Sequence, residues 1–184
     1  MRVLDAAQRC CERWGIAKVT IDDIATAAGV SRATIYRMFP GGKDVLFEAL
    51  RVRELEDFFT VLRAQVEDTH SLEDLLVRTV VVATRELRAD DHLALMLASE
   101  PGTMLGQLTV EGVPRIIRMA TAFLAPLADA YLDRAASRAL IDILARLTIS
   151  YFLAPSDTVD LGDEVSARAF LAPILQPFTQ GVAP

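Results

Sequence analysis

The chain of 184 residues is long enough for one two-part fold, or for a small domain joined to a larger one. With 52% apolar residues, 24% charged residues and a mean hydropathy of +0.31, it must bury much apolar surface, internally or against a partner. A net charge of −6 excludes a protein coated with nucleic acid, and the longest uncharged run, residues 169–184, holds Pro173, Pro177 and two glutamines and falls short of the ~18 apolar residues of a spanning helix.

Charge is unevenly spread. Residues 1–50 carry seven Lys/Arg against six Asp/Glu, whereas residues 51–184 carry twelve against nineteen. A near-neutral head on an acidic body suits local phosphate contacts with the body held off a duplex. The head opens on Leu4, Ala6, Ala7, Cys10, Cys11 and Trp14, which recur at helical spacing and predict an amphipathic helix ended by Gly15. The adjacent cysteines cannot easily bridge each other and read as small core residues. Met1-Arg2-Val3-Leu4 runs straight into this charged helix, so no leader and a cytoplasmic location are expected.

Residues 21–39, IDDIATAAGVSRATIYRMF, read as two short helices around a glycine turn. Ile21, Ile24, Ala25 and Ala28 share one face, and Thr20 with Asp23 forms a capping box ahead of them. Gly29 supplies the left-handed residue that ends a helix. Ser31 is the next N-cap, with Val30 placed to staple onto Ile35. The pattern is that of a DNA-binding helix-turn-helix with residues 31–39 as recognition helix; a hairpin used only for packing is the plainer alternative. Thr20 and Ser31, at helix N-termini, suit phosphate. Arg32, Ala33 and Thr34 lie in the first turn, which reaches base edges: Arg32 can take guanine bidentately, Ala33 and Thr34 a thymine methyl.

Beyond Pro40-Gly41-Gly42 a long helix is expected over residues 43–66, with Leu46, Leu50, Phe58, Val61 and Leu62 inward, and a break at residues 67–70. Ser71 to Asp74 caps a helix to about Ala89; its β-branched run, Thr79 to Val82, resembles a strand, but the flanking periodicity favours helix. A short helix over 91–99, an irregular link over 103–112 and a helix over 114–132 bent at Pro126 follow. Residues 133–152 form a strong helix with a polar ridge of Arg134, Arg138, Asp142 and Arg146. Most of its remaining girth is apolar, so it packs on two sides. With the last helix, residues 163–176, which must kink or end at Pro173, it predicts a four-helix dimer interface through Leu140, Ile141, Leu144, Leu147, Tyr151 and Phe170. Strand signals are essentially absent, so the fold class is all-α.

Leu4-Asp5-Ala6-Ala7, Gly15, Val19-Thr20, Ile24-Ala25, Ala28-Gly29-Val30-Ser31, Ile35-Tyr36, Phe39 and Lys43 together resemble the tetracycline-repressor (TetR-like) family of bacterial regulators over residues 2–47. The resemblance implies a three-helix DNA-binding head over residues 1–45 and a helical ligand-binding and dimerisation body over 46–184. It implies a homodimer on double-stranded DNA at a palindromic operator, acting as a repressor released by a small molecule. Tyr36 and Arg37 then look like phosphate clamps, and Lys43 matches the family's backbone-contacting lysine, although one extra residue separates Phe39 from Lys43 here. The family's effector cavity would involve Phe58, Phe59, Leu62, Met96, Met104, Met119, Ala122 and Phe123. Each of these is otherwise plain core. With few ionisable groups facing inward, the effector would be apolar or amphipathic; Arg85, Arg88, Arg115 and Arg118 are candidates for an anionic end and otherwise solvated.

Two other classes compete. An all-α enzyme would have to use His70 or His92, since HExxH, GxSxG, P-loop and CxxC patterns are all missing from the sequence; no catalytic residue, metal ligand set or cofactor is therefore expected. A helical adaptor with a vestigial helix-turn-helix would flow through DNA cellulose.

Overall fold

The computed structural model describes residues 2–90, 93 and 112–179. Among these residues the fold is all-α, with eight helices and no strand: α1 (Arg2–Trp14), α2 (Ile21–Ala28), α3 (Arg32–Met38), α4 (Lys43–Val66), α5 (Leu72–Ala89), α6 (Val113–Ala128), α7 (Arg134–Leu153) and α8 (Glu164–Thr179). The chain divides into two compact units, Met1–Asp57 and Phe58–Pro184, with the division inside α4. The helix expected over 91–99 and most of the link over 103–112 lie outside the described residues, as do His92, Met96 and Met104.

The first unit is a helix-turn-helix head. Ala6, Ala7 and Cys10 of α1, Ile24 of α2, Ile35 of α3 and Leu46 of α4 meet in one buried cluster. Small residues on α1 let its neighbours approach, which is why alanines and cysteines fill that face. Burial pushes the Cys11 thiol up to about 11, and the Cys10 thiol is raised for the same reason, so both stay protonated and inert. Trp14 departs from the expected stripe. It is 43% exposed, with the Arg13 guanidinium 5.3 Å from its ring centroid.

In the second unit α5, α7 and α8 share a core of Leu76, Val77, Val80, Leu140, Leu144, Leu171 and Leu175. The run Thr79 to Val82 is helical. Ser71 caps α5 by accepting from the Asp74 amide (3.1 Å), and burial on several sides outweighs the weak helix preference of valine. Arg168 of α8 holds Glu73 (2.9 Å) and Asp74 (2.8 Å), and so fixes α8 on the first turn of α5.

Four details differ from the sequence-based expectation. Val61 is 47% exposed, and Phe59 takes the inward place on α4 at 3%. The helix after Pro114 stops at Ala128, where the Tyr131 and Leu132 amides turn back onto the Ala128 carbonyl. The last helix does not end at Pro173, but runs through both Pro173 and Pro177 to Thr179. Both prolines are exposed, while Leu171 and Leu175 hold the opposite face in the core, so packing offsets the two missing donors. On α7 the ridge is only partly paired: Asp142 binds Arg146 (2.9 Å), whereas Arg134 turns to Asp129 (4.0 Å).

Candidate nucleic-acid interface

Two turns aim α3. The Thr20 amide and hydroxyl donate to the Asp23 carboxylate (2.9 and 2.6 Å) and the Asp23 amide donates back to the Thr20 hydroxyl (3.2 Å), which fixes the start of α2. These donors hold the Asp23 carboxyl below its ordinary range. Gly29 then turns the chain with φ 67°, a conformation that any Cβ would strain. Ser31 opens α3 by accepting from the Thr34 amide (3.1 Å). Ile35, 0% exposed, pins α3 to the head.

A seven-residue helix held by one buried side chain leaves most of its surface free. Arg32, Ala33, Tyr36, Arg37 and Met38 are exposed, while Thr34 is half-buried with its hydroxyl 3.0 Å from that of Ser31. Five of the eight expected DNA-contacting residues thus share α3. Lys43 is half-buried at the start of α4, with Nζ 5.3 Å from the Phe47 ring centroid, folded onto its own helix. The hydroxyl proton of Thr20 goes to Asp23, so in the free protein Thr20 is a cap; a phosphate has to compete with that carboxylate.

Two neighbours of this surface escaped the sequence reading. Asp22 of α2 pairs with Arg32 (Nε to Oδ1, 3.1 Å). Gly42, with φ 73°, lies against the Tyr36 ring so closely that a Cβ there would sit 2.9 Å from Cε1. The extra residue between Phe39 and Lys43 was the available signal: it makes a double-glycine turn whose second glycine seats the tyrosine.

In the second unit the expected pocket residues divide. Phe59 and Leu62 are buried, Phe58, Met119 and Phe123 half-buried, and Phe59 stacks on Phe123 with centroids 5.9 Å apart. Ala122 is exposed, one position round α6 from the ring that packs inward. Arg85 and Arg88 are not ligand-facing cations. They clamp the loop after α7, through the Gly162 carbonyl (2.7 Å) and Asp160 (2.7 Å). The expected interface residues divide too: Leu140, Ile141 and Leu144 are 0–4% exposed within one chain, and Leu140 and Leu144 are consumed by the core shared with α5 and α8. Leu147, Tyr151 and Phe170 remain half-buried, and Ile143 is 39% exposed. Among the described residues no group of His, Cys, Asp and Glu could hold a metal ion, and no helix is long and apolar enough to cross a membrane.

The sequence profile of the bacterial regulatory proteins, tetR family, matches residues 3–50, the head just described. An uncharacterised HTH-type transcriptional regulator of Mycobacterium bovis is 36% identical over 99 residues, 54% of this chain and 50% of the relative. The crystal structure of the TetR family repressor AlkX from Dietzia sp. strain DQ12-45-1b, implicated in biodegradation of n-alkanes, superposes with a TM-score of 0.71 at 27% identity. It covers 98% of this chain and 95% of AlkX. Residues 3–50 thus match the TetR family, and the fold of the chain is similar to that of a TetR-family repressor. Each of these likenesses is to a bacterial regulatory protein. The fatty acid degradation regulator FadR of Bacillus halodurans shares the fold, with a TM-score of 0.54 at 22% identity over 97% of this chain and 93% of FadR. The chain spans about half the length of the Mycobacterium relative it matches. The TetR-family likeness explains why residues 3–50 were the legible part: they are the part the family holds in common.

Proposed function

We propose that this protein binds double-stranded DNA as a homodimer and represses transcription from a palindromic operator until an apolar or amphipathic small molecule releases it. Residues 1–45 serve as the DNA-binding domain and residues 46–184 as the ligand-binding and dimerisation domain. The observation that carries the reading is the exposed face of α3, where Arg32, Ala33, Tyr36 and Arg37 lie open to solvent while Ile35 is the helix's buried residue. Arg32, Ala33 and Thr34 read bases; Ser31, Tyr36, Arg37, Thr20 and Lys43 hold phosphates and set the register. Because each chain has one such helix, a dimer reads two half-sites about 34–36 Å apart, or somewhat more.

The effector part rests on the aromatic and aliphatic group Phe58, Phe59, Leu62, Met119 and Phe123, and on AlkX, which is implicated in n-alkane biodegradation. An alkane or acyl chain suits such walls, which offer dispersion and burial but few polar anchors. Binding at Phe59 biases α4, which runs on to Lys43, and operator affinity falls by only as much as the ligand prefers the non-binding state, typically 1–3 kcal/mol.

Selection of duplexes from a random pool, followed by fluorescence anisotropy against salt and against added alkanes, fatty acids and acyl-coenzyme A esters, tests the reading. A selected imperfect palindrome, bound by a dimer with a steep salt dependence, is the expected result. Absence of any sequence-selected duplex would leave the adaptor with a vestigial helix-turn-helix as the better description.

A further inference from the structure

We infer that Asp22 is a specificity-determining residue of the DNA interface: it holds the Arg32 guanidinium from its Nε side and so tunes the preference of Arg32 for guanine. The inference rests on the DNA-binding reading above. The ion pair runs from Arg32 Nε to Asp22 Oδ1 at 3.1 Å, with the two side chains 60% and 61% exposed. A pair this open to water contributes little to folding, so its informative property is its place. Arg32 is the first residue of the recognition helix, and Asp22 stands in the first turn of the helix before it. The pair therefore spans the two helices of the helix-turn-helix at the end from which base edges are reached.

Three physical consequences follow from the Nε contact. A free arginine has many rotamers and must surrender them on docking; the carboxylate removes part of that freedom beforehand. Contact at Nε leaves the four N–H donors of Nη1 and Nη2 for a second partner, and this fork matches O6 and N7 of guanine. Finally, Asp22 next to an arriving phosphate backbone is repulsive unless a cation neutralises it. Arg32 in its paired position does so, and Arg32 turned away towards a phosphate does not. Asp22 thus favours the one arginine orientation that reads a base over those that merely hold the backbone.

The test is a base-substitution series on the selected operator, read by anisotropy with wild type, Arg32→Ala, Asp22→Asn and the double variant. Wild type should prefer guanine at one position of each half-site, and Arg32→Ala should abolish that preference, worth about 5- to 100-fold. Asp22→Asn should cut the same preference at least about threefold at that position alone, add nothing in the Arg32→Ala background, and leave the melting temperature unchanged. Asp22→Glu, which restores the carboxylate, should recover most of it. If Asp22→Asn loses stability, Asp22→Ser, which suits a first turn, replaces it. Tighter binding of Asp22→Asn to all sequences alike would overturn the inference, since Asp22 would then be only a repulsive charge. An unchanged guanine preference in Asp22→Asn would overturn it equally. If wild type selects no sequence, or Arg32→Ala keeps every base preference, the DNA-binding reading or the role of Arg32 fails instead.

Discussion

In the head, the seven-residue α3 is pinned by one side chain, Ile35, and offers five exposed residues; in the body, the twenty-residue α7 buries Leu140, Ile141 and Leu144 and keeps Ile143 and Arg146 outside. The head fixes its geometry at helix ends, through the Thr20–Asp23 box, the left-handed Gly29 and the Ser31 cap. The body fixes its geometry along helix flanks, and tolerates prolines inside α6 and α8 because flank packing holds the helices there. A surface made by helix ends can keep its outward residues for a partner. A body made by flanks has already committed them to itself.

The largest expected effects break each region at its pin. Leu144→Arg places an unpaired charge at a 3% exposed site and should cost at least 3–5 kcal/mol, melting the body rather than releasing folded monomers. Ile143→Arg, on the 39% exposed side of the same helix, should leave the melting temperature nearly unchanged and weaken dimerisation, seen by sedimentation. Ile35→Ala should cost about 2–5 kcal/mol and abolish operator binding. A folded Leu144→Arg monomer would show that α7 buries less of itself in solution than in this structure.

The same contrast explains what could be read from the chain beforehand. Helix ends are written in a few residues with one meaning each: Thr-x-x-Asp, Gly, then Ser before a staple, and α2, α3 and the bounds of α4 and α5 follow from them. Helix flanks are written in apolar residues that fit any neighbour. Periodicity therefore placed α7 correctly, but could not say which of its apolar sides meets α5 and α8 and which is left over. For the same reason it put Val61 on the inward face of α4, where the structure has it 47% exposed. Asp22 was missed because it lies on a different helix from Arg32, at a separation that no helical repeat marks.

A smaller effect separates strain from contact within the head. Gly15 and Gly42 have φ of 78° and 73°, yet a Cβ at Gly15 meets nothing within 4 Å while one at Gly42 meets the Tyr36 ring. Asparagine tolerates the left-handed region best among residues with a side chain. Gly15→Asn should therefore bind DNA as wild type does. Gly42→Asn should displace Tyr36 and weaken binding to all sequences alike by about 3- to 10-fold, in the range of one ordinary lost hydrogen bond. Combined with Tyr36→Ala it should add no further loss.

Acid should act more on the body than on the head. Asp23 in the head, held by the Thr20 hydroxyl and amide, has a lowered pKa. So have two groups in the body: Asp74, held by Arg168 and Ser71, and Asp160, held by the Gly162 amide and Arg88. With folded pKa values below the unfolded one near 4, the unfolded chain takes up protons first, and stability is present above about pH 4 and lost as pH falls below it. The body, with two such groups, should lose more stability than the head over that range, and Asp74→Asn should flatten the body's acid limb in urea titrations. An acid limb unchanged by Asp74→Asn would mean that Arg168 is satisfied by Glu73 and Glu164 alone.

The smallest effect is expected at a polar group the body leaves unsatisfied. Ser137 on α7 is 0% exposed, and its hydroxyl has no hydrogen-bond partner among the described residues. Thr84 on α5, equally buried, donates to the Val80 carbonyl at 2.8 Å. A buried hydroxyl without a partner costs its desolvation and returns nothing, whereas a bonded one roughly breaks even. Alanine at 137 removes only one oxygen, keeps the helix with a better helix former, and leaves no partner stranded. Ser137→Ala should therefore stabilise the body slightly, by up to about 1 kcal/mol, while Thr84→Ala should destabilise it, since it loses a methyl from a full core as well as the bond. Thermal melts of the two variants, compared with wild type in the same buffer, decide the matter. A melting temperature lowered by Ser137→Ala would mean that the hydroxyl holds a water or a ligand atom in solution, and so that this point of the body is a binding position rather than a packing one.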